Sequence, residues 1–294
     1  MPKLNDIQIR DPFILREGET YYLYGSTDKD IWRSIGTGFD VYRTSGDLEA
    51  FEGPFPVFRP PEGFFAEKNF WAPEVYRYEE GYYMFATFLP AHGRRGTAVL
   101  RANSPMGPFV PLTNEPITPG GWECLDGTLF VEDNVPYMVF CHEWQQIGDG
   151  QICAMPLTKD LTKAAGKPKT LFAASEAPWA KPLTGRAPGS YVTDGPFFYR
   201  AKSGALLMLW SSFGEDGGYC IGVAVSQSQR LLGPWEQQPK PLYAADGGHG
   251  MLFDTADGQL YLAIHTPNNT PMERAVFLRL EEAGETLRLA EDAL

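Results

Sequence analysis

The chain has 294 residues, 43% of them hydrophobic and 14% aromatic, which excludes a disordered polymer and allows a substantial buried core. Its formal charge of −12, with no Lys/Arg cluster, excludes the basic face that nucleic acid requires. No run approaches the roughly 20 apolar residues of a membrane span.

From the N-terminus onward one unit recurs five times, and internal repetition outranks other fold signals. It consists of a short polar or proline-containing anchor, an apolar strand, a turn, and a second strand rich in Tyr, Leu or Met. The first copy is Asp11-Pro-Phe-Ile-Leu15 with Tyr21-Tyr-Leu-Tyr-Gly-Ser26. The second is Ala72-Pro-Glu-Val-Tyr76 with Tyr82-Tyr-Met-Phe-Ala-Thr87, and the third Asp126-Gly-Thr-Leu-Phe-Val131 with Tyr137-Met-Val-Phe-Cys141. Asp194-Gly-Pro-Phe-Phe-Tyr199 with Leu206-Leu-Met-Leu-Trp-Ser211 is the fourth. Gly248-His-Gly-Met-Leu-Phe253 with Leu260-Tyr-Leu-Ala-Ile264 closes the series. A third strand follows each hairpin, at 38–43, 98–101, 152–155, 221–225 and 275–279. The anchors are spaced by roughly 55–70 residues, the scale of one propeller blade with its loops. No amphipathic helix of several turns interrupts them. The pattern predicts a single all-β domain over residues 1–294, a five-bladed β-propeller. A β-sandwich would not repeat the same polar anchor at each start.

In a propeller the innermost strands run parallel around a central channel, so their equivalent starts converge at one end. Those starts hold Asp11, Ala72 (with Glu74 nearby), Asp126, Asp194 and His249. A lone aspartate before Pro or Gly also serves as a turn residue, bonding backbone N–H groups two residues on. Three at matched positions, with a histidine, predict instead a pocket of carboxylates for a neutral or weakly charged ligand. Glycoside hydrolysis needs such a set: one carboxylate activates water while another holds a proton for the leaving oxygen. Crowding raises the acid's pKa, because adjacent carboxylates resist ionising together.

Ile9-Arg-Asp-Pro-Phe13, Trp71-Ala-Pro-Glu-Val75, Leu125-Asp-Gly-Thr-Leu-Phe130, Thr193-Asp-Gly-Pro196 and Gly248-His-Gly250 carry a resemblance. In this order they resemble the blade-start motifs of glycoside hydrolase family 43, over almost the whole chain. The resemblance implies an inverting α-L-arabinofuranosidase, β-xylosidase, arabinanase or β-1,3-galactosidase. The expected partner is an oligosaccharide of hemicellulose or pectin origin, attacked from its end. It further implies Asp11 as general base and Asp126 as the carboxylate that tunes and orients the acid. His249 would face a central cation, often calcium, with no organic cofactor; a hydrogen-bonded core histidine is the other reading. Trp71 resembles an aromatic against the innermost sugar, though a core position suits it equally. Arg274 resembles a fifth-blade arginine bonding sugar hydroxyls, with a surface salt bridge as its alternative. Phe13 and Trp144 are further aromatic candidates for substrate contact.

One position departs from the pattern. The family's general acid is usually glutamate in Glu-Gly-Pro, whereas this chain has Asp194-Gly-Pro. One methylene fewer sets the proton back by about 1.5 Å, and acid catalysis is sensitive to such a shift. Either Asp194 acts with its blade moved inwards, or Glu143, in His142-Glu-Trp-Gln145, reaches the pocket from the end of the third copy's second strand. A sugar-binding propeller without catalysis is the alternative from another class. A phosphorylase would need clustered Arg, Lys or His for phosphate, which the acidic anchors oppose. Cys124, Cys141, Cys153 and Cys220 lack paired spacing and read as buried thiols or at most one chance disulfide. With no apolar leader near Met1, the expected location is cytoplasmic.

Overall fold

Turn chemistry sets the hairpins. Asp133 and Asn134 take positive φ, 51° and 60°, the two-residue connection whose twist matches its flanking strands. In the computed structural model, which describes residues 1–291, each predicted hairpin forms the inner pair of a four-stranded antiparallel sheet. Blade 1 comprises Arg10–Glu17, Thr20–Ser26, Phe39–Ser45 and Glu52–Phe58. Blade 2 comprises Ala66–Tyr78, Gly81–Pro90, Gly96–Ala102 and Val110–Pro111, and blade 3 Cys124–Glu132, Val135–His142, Gln151–Pro156 and Lys169–Ala173. Blade 4 comprises Asp194–Arg200, Leu206–Phe213, Tyr219–Ser226 and Trp235–Gln237. Blade 5 comprises Gly248–Asp254, Leu260–Thr266, Arg274–Ala283 and Thr286–Leu289. The molecule is a five-bladed β-propeller. Helix among the described residues amounts to Trp144–Ile147 and two three-residue turns of 3-10 type.

Neighbouring blades cover both faces of the middle strands, which is why those strands are apolar throughout rather than alternating. Leu206–Phe213 and Tyr219–Ser226 are buried along almost their full length. Between blades 1 and 2, Phe39, Phe58, Phe70 and Phe88 interlock; the last two meet edge to face at 4.9 Å. Truncating fully buried Phe88 to Ala would cost about 3–5 kcal/mol. All four cysteines are buried without a disulfide.

Each blade is written by contiguous sequence, so among the described residues no shared strand fastens blade 5 to blade 1. Shorter contacts close the ring. Ile9 N–H donates to the Glu273 carbonyl at 3.4 Å, and Arg16 donates to the Asp254 carbonyl at 3.2 Å. Arg274 donates to the carbonyls of Asn5 (3.0 Å), Pro271 (3.1 Å) and Glu273 (2.8 Å). Its guanidinium is thereby committed to the seam.

Candidate active site

At every inner-strand start the register slips by a bulge, and the bulged residue takes positive φ: Asp11 (52°), Ala72 (46°), Asp126 (54°), Gly195 (52°) and His249 (46°). Left-handed backbone is strained for a residue with a Cβ and persists only where its surroundings hold it. The hold comes from the second strand of the preceding blade. Ser26 Oγ accepts the Ala72 N–H at 2.8 Å, Thr87 Oγ1 that of Asp126 at 2.9 Å, and Ser211 Oγ that of His249 at 2.8 Å. His265 Nδ1 accepts the Asp11 N–H at 3.2 Å. The corresponding place on blade 3 is Cys141, a weak acceptor, and there Asp126 Oδ2 takes the Gly195 N–H at 3.0 Å instead. A Cβ on Gly195 would stand 2.6 Å from the His249 ring, so glycine is required at that bulge.

This register corrects one expectation. Asp194 pairs with Ser211 as Arg10 pairs with Ser26 and Trp71 with Thr87. It therefore stands one residue ahead of the bulge and is not equivalent to Asp11 and Asp126. Two aspartates match, and blade 4 presents its carboxylate from the preceding position.

The strand starts open into a cavity of about 710 Å³ lined from all five blades. It gathers Asp11, Asp126, Asp194, Glu143, His249, Trp71 and Trp144, as the sequence led one to expect. Two expected residues lie outside its lining. Phe13 sits deeper in the channel, edge-on to Tyr76 at 5.2 Å and near Phe197 at 6.3 Å, as packing. Arg274 serves the seam. Arg10, Trp32, Arg95, Tyr219 and Arg186 also line the cavity, and the repeat pattern missed them. Arg10 adjoins Asp11 in a quoted motif and was within reach; Tyr219 opens an outer strand and carried no signal.

Burial alone would raise the Asp11 carboxyl, but His249, Arg10 and the Ser26 hydroxyl hold it below its ordinary value. His249 Nδ1 lies 3.2 Å from Asp11 Oδ1, and Ser26 donates to Asp11 Oδ2 at 2.7 Å. Asp126, 3.6 Å from the same Nδ1, is driven well above the usual carboxylate range by burial and by the charges of Asp194 and Asp11. Asp194 is raised by burial, against His249 and the Tyr219 hydroxyl that donates to it at 2.8 Å. Glu143 is 2% exposed, and burial pushes it up to about 8 although Arg95 Nη2 stands 3.4 Å away. Beneath the cavity, burial lifts Glu74 to about 7, and the Tyr76 hydroxyl donates to it at 2.5 Å. The site thus sets a carboxylate on blade 1 that is held ionised against carboxyls on blades 3 and 4 that are pushed towards the protonated form.

Three arginine–tryptophan pairs frame the opening. Arg10 lies 5.2 Å over Trp32, Arg95 4.8 Å over Trp71, and Arg186 5.8 Å over Trp144. Trp71 donates from Nε1 to the Ile31 carbonyl at 2.7 Å and meets Trp32 edge-on at 5.1 Å. Its indole is fixed before any sugar arrives.

A calcium ion takes six to eight oxygen ligands. Among the described residues no group of three or more His, Cys, Asp or Glu side chains is arranged to hold a metal. His249 directs Nδ1 to two carboxylates, so these residues do not form a protein cage for a cation.

The sequence profile of glycosyl hydrolases family 43 matches residues 5–282. The structure resembles that of an endo-arabinase from Bacteroides thetaiotaomicron VPI-5482, with 42% identity, a TM-score of 0.88, and coverage of 96% of this chain and 97% of that one. An exo-1,5-α-L-arabinanase from a bovine ruminal metagenomic library has the same fold, at 16% identity and a TM-score of 0.70 over 99% of both chains. In sequence, the extracellular exo-α-(1→5)-L-arabinofuranosidase ArbA of Cellvibrio japonicus is 22% identical over 293 residues, 88% of this chain and 79% of that protein.

Proposed function

The chain belongs to glycosyl hydrolases family 43, the inverting glycosidases, and from that membership we propose that it removes single arabinofuranose or xylose units from the ends of oligosaccharides. The charge split across the cavity carries this reading: Asp11 is held ionised, while Glu143, Asp126 and Asp194 are pushed towards the protonated form.

In the proposed step Asp11 takes a proton from water as the water oxygen bonds to the anomeric carbon. On the other side Glu143 gives its proton to the glycosidic oxygen as the carbon–oxygen bond breaks. Three observations favour Glu143 over Asp194 as the acid. Its side chain is one methylene longer, its carboxyl is pushed up to about 8, and Asp194 already accepts the Tyr219 hydroxyl, a bond that favours the ionised form. Asp194 and Asp126 are then positioning residues, and ionisation of either pushes the Glu143 carboxyl further up. Inversion needs base and acid about 6.5–9.5 Å apart, with the sugar and the attacking water between them.

Attack from a chain end is supported by the lining. All five blades contribute walls, with Trp32 and Trp71 on one side and Trp144 and Arg186 on another. Such a surround admits a terminus rather than a polymer lying across it. Arabinofuranosides are the first candidates, since the two similar proteins described above at 42% and 22% identity are an endo-arabinase and an exo-arabinofuranosidase.

A panel of nitrophenyl pentosides and hexosides, proton NMR of the first product, and digestion of debranched arabinan test the proposal. The expected results are an inverted anomer and arabinose as the first released sugar. Retention overturns the mechanism, and an early ladder of oligosaccharides overturns the exo reading. A channel cation beside His249 is a separate proposal, in which water would fill most of the ion's shell. Chelator dialysis followed by calcium return, read by Tm, tests it: a reversible fall supports the ion and an unchanged Tm rejects it.

A further inference from the structure

The side of the cavity that carries the acid is also the side on which the leaving sugar must rest, because the acid protonates the oxygen that departs with it. That side is built as one unit. Trp144 and Gln145 follow Glu143 directly, and Arg186 lies on the segment leading into Asp194. The two segments are laced together, with Gly150 N–H donating to the Tyr191 carbonyl at 2.9 Å and Tyr191 N–H to the Gly148 carbonyl at 3.1 Å. The wall is therefore tied to both carboxyls it adjoins.

The three framing arginines differ in their charge partners. Arg10 is 3.3 Å from buried Glu273, and Arg95 is 3.4 Å from Glu143 and 3.9 Å from Glu123. Arg186 has no carboxylate within ion-pair distance among the described residues; its contact is the Trp144 face. Arg186 is exposed to solvent, and in a protein of net charge −12 it sets a guanidinium without a carboxylate partner at the mouth of a carboxylate-lined cavity. A half-buried indole offers an apolar face to a pyranose ring, and a guanidinium beside it offers a planar pair of donors that fits an oxyanion.

We propose that Trp144, Gln145 and Arg186 form a leaving-group subsite for a sugar bearing an anionic oxyacid group, a uronate carboxylate or a sulfate ester. The substrate is then a neutral terminal sugar on an acidic neighbour, rather than a wholly neutral oligosaccharide. This rests on the glycosidase reading of the same site, with the acid on blade 3 or 4. The anion does not meet a wall of like charge, because the carboxyls nearest this subsite are held towards the protonated form.

The test compares synthetic disaccharides with one terminal sugar, whichever the aryl panel shows to be cleaved, joined to galactose, galacturonate or galactose sulfate. The readout is the ratio of kcat/KM for each acidic substrate over the neutral one. The expected ratio for at least one acidic substrate is about tenfold, the scale of one charge-assisted contact at a partly exposed site. It should fall to about one in Arg186→Gln and in about 0.5 M salt, and be partly kept in Arg186→Lys. Whichever acidic sugar shows the preference identifies the oxyanion. Ratios near one in the unaltered enzyme, or a ratio that survives Arg186→Gln, overturn the inference while leaving aryl-glycoside turnover, and hence the glycosidase reading, intact. Failure to cleave any aryl glycoside defeats the underlying reading instead.

Discussion

His265 Nδ1 accepts the main-chain N–H of Asp11 across the ring seam at 3.2 Å. An imidazole nitrogen that accepts a hydrogen bond carries no proton, and burial drives His265 down to about 3, so it is neutral. Its Nε2 then donates to Asn268 Oδ1 at 3.3 Å. The last blade thus holds the left-handed backbone of the proposed base through a fixed tautomer.

Removing that acceptor should misplace the base without touching the sugar. His265→Ala is expected to lower kcat by about 10–100-fold with KM little changed, because general-base efficiency depends on position. Stability should fall by about 1–3 kcal/mol as the strained residue and a buried N–H lose their partner. His265→Gln, which restores an acceptor, should recover part of both. Steady-state kinetics and urea unfolding check this, and parallel losses in kcat and KM would contradict it.

Asp11→Asn should depress turnover by at least about 10³-fold while leaving product binding near its original strength. Azide, a nucleophile that needs no base, should restore bond cleavage and give a glycosyl azide of inverted configuration. Titration calorimetry with the free sugar and NMR of the azide adduct are the measurements. Retained hydrolysis in Asp11→Asn would remove the residue from its role.

The two carboxyls competing as acid are separated by leaving-group dependence. Glu143→Gln should lose about 10²–10⁴-fold on oligosaccharides and much less on dinitrophenyl glycosides, whose leaving oxygen needs little protonation. Asp194→Asn should lose activity without that dependence, since its part is to position and tune. Exchange of these two profiles would assign the acid to Asp194.

The pH dependence follows from the same groups. Asp11 is held below its ordinary 3.8, so the base stays ionised through mildly acidic pH, while loss of the Glu143 proton places an alkaline limb of kcat/KM near 8. Because folding raises Glu143 from 4.5 to about 8, its favourable share of stability is complete below about 4.5 and is lost as pH rises through 8. Glu143→Gln should therefore gain stability relative to the parent at pH 8 compared with pH 5. Denaturant titrations at the two values measure the difference, and aryl-glycoside profiles of the variant should lack the alkaline limb.

Arg274→Ala should cost about 1–2 kcal/mol through three lost carbonyl contacts, of which the one to Asn5 crosses the seam and the other two are local, and leave KM unaffected. Urea midpoints and KM on an aryl glycoside test it. A large rise in KM with an unchanged midpoint would return Arg274 to the sugar.

The sequence by itself determined the propeller, because the unit of anchor, apolar strand, turn and second strand is local and was repeated five times, from Asp11 to Ile264. It also determined that Asp11, Asp126 and His249 converge, since equivalent strand starts must face the same channel. Tertiary structure alone decided what required a coordinate across blades. The bulge is common to all five strand starts, and the pairing register places Asp194 one residue ahead of it whereas Asp11 and Asp126 occupy it. Arg274 and Arg10 lie at the same seam, yet one bonds main-chain carbonyls and the other enters the cavity, a choice set by distances between the first and last blades. The protonation of Glu143 was likewise invisible, because burial and neighbouring charge belong to the packed ring and not to any segment of the chain.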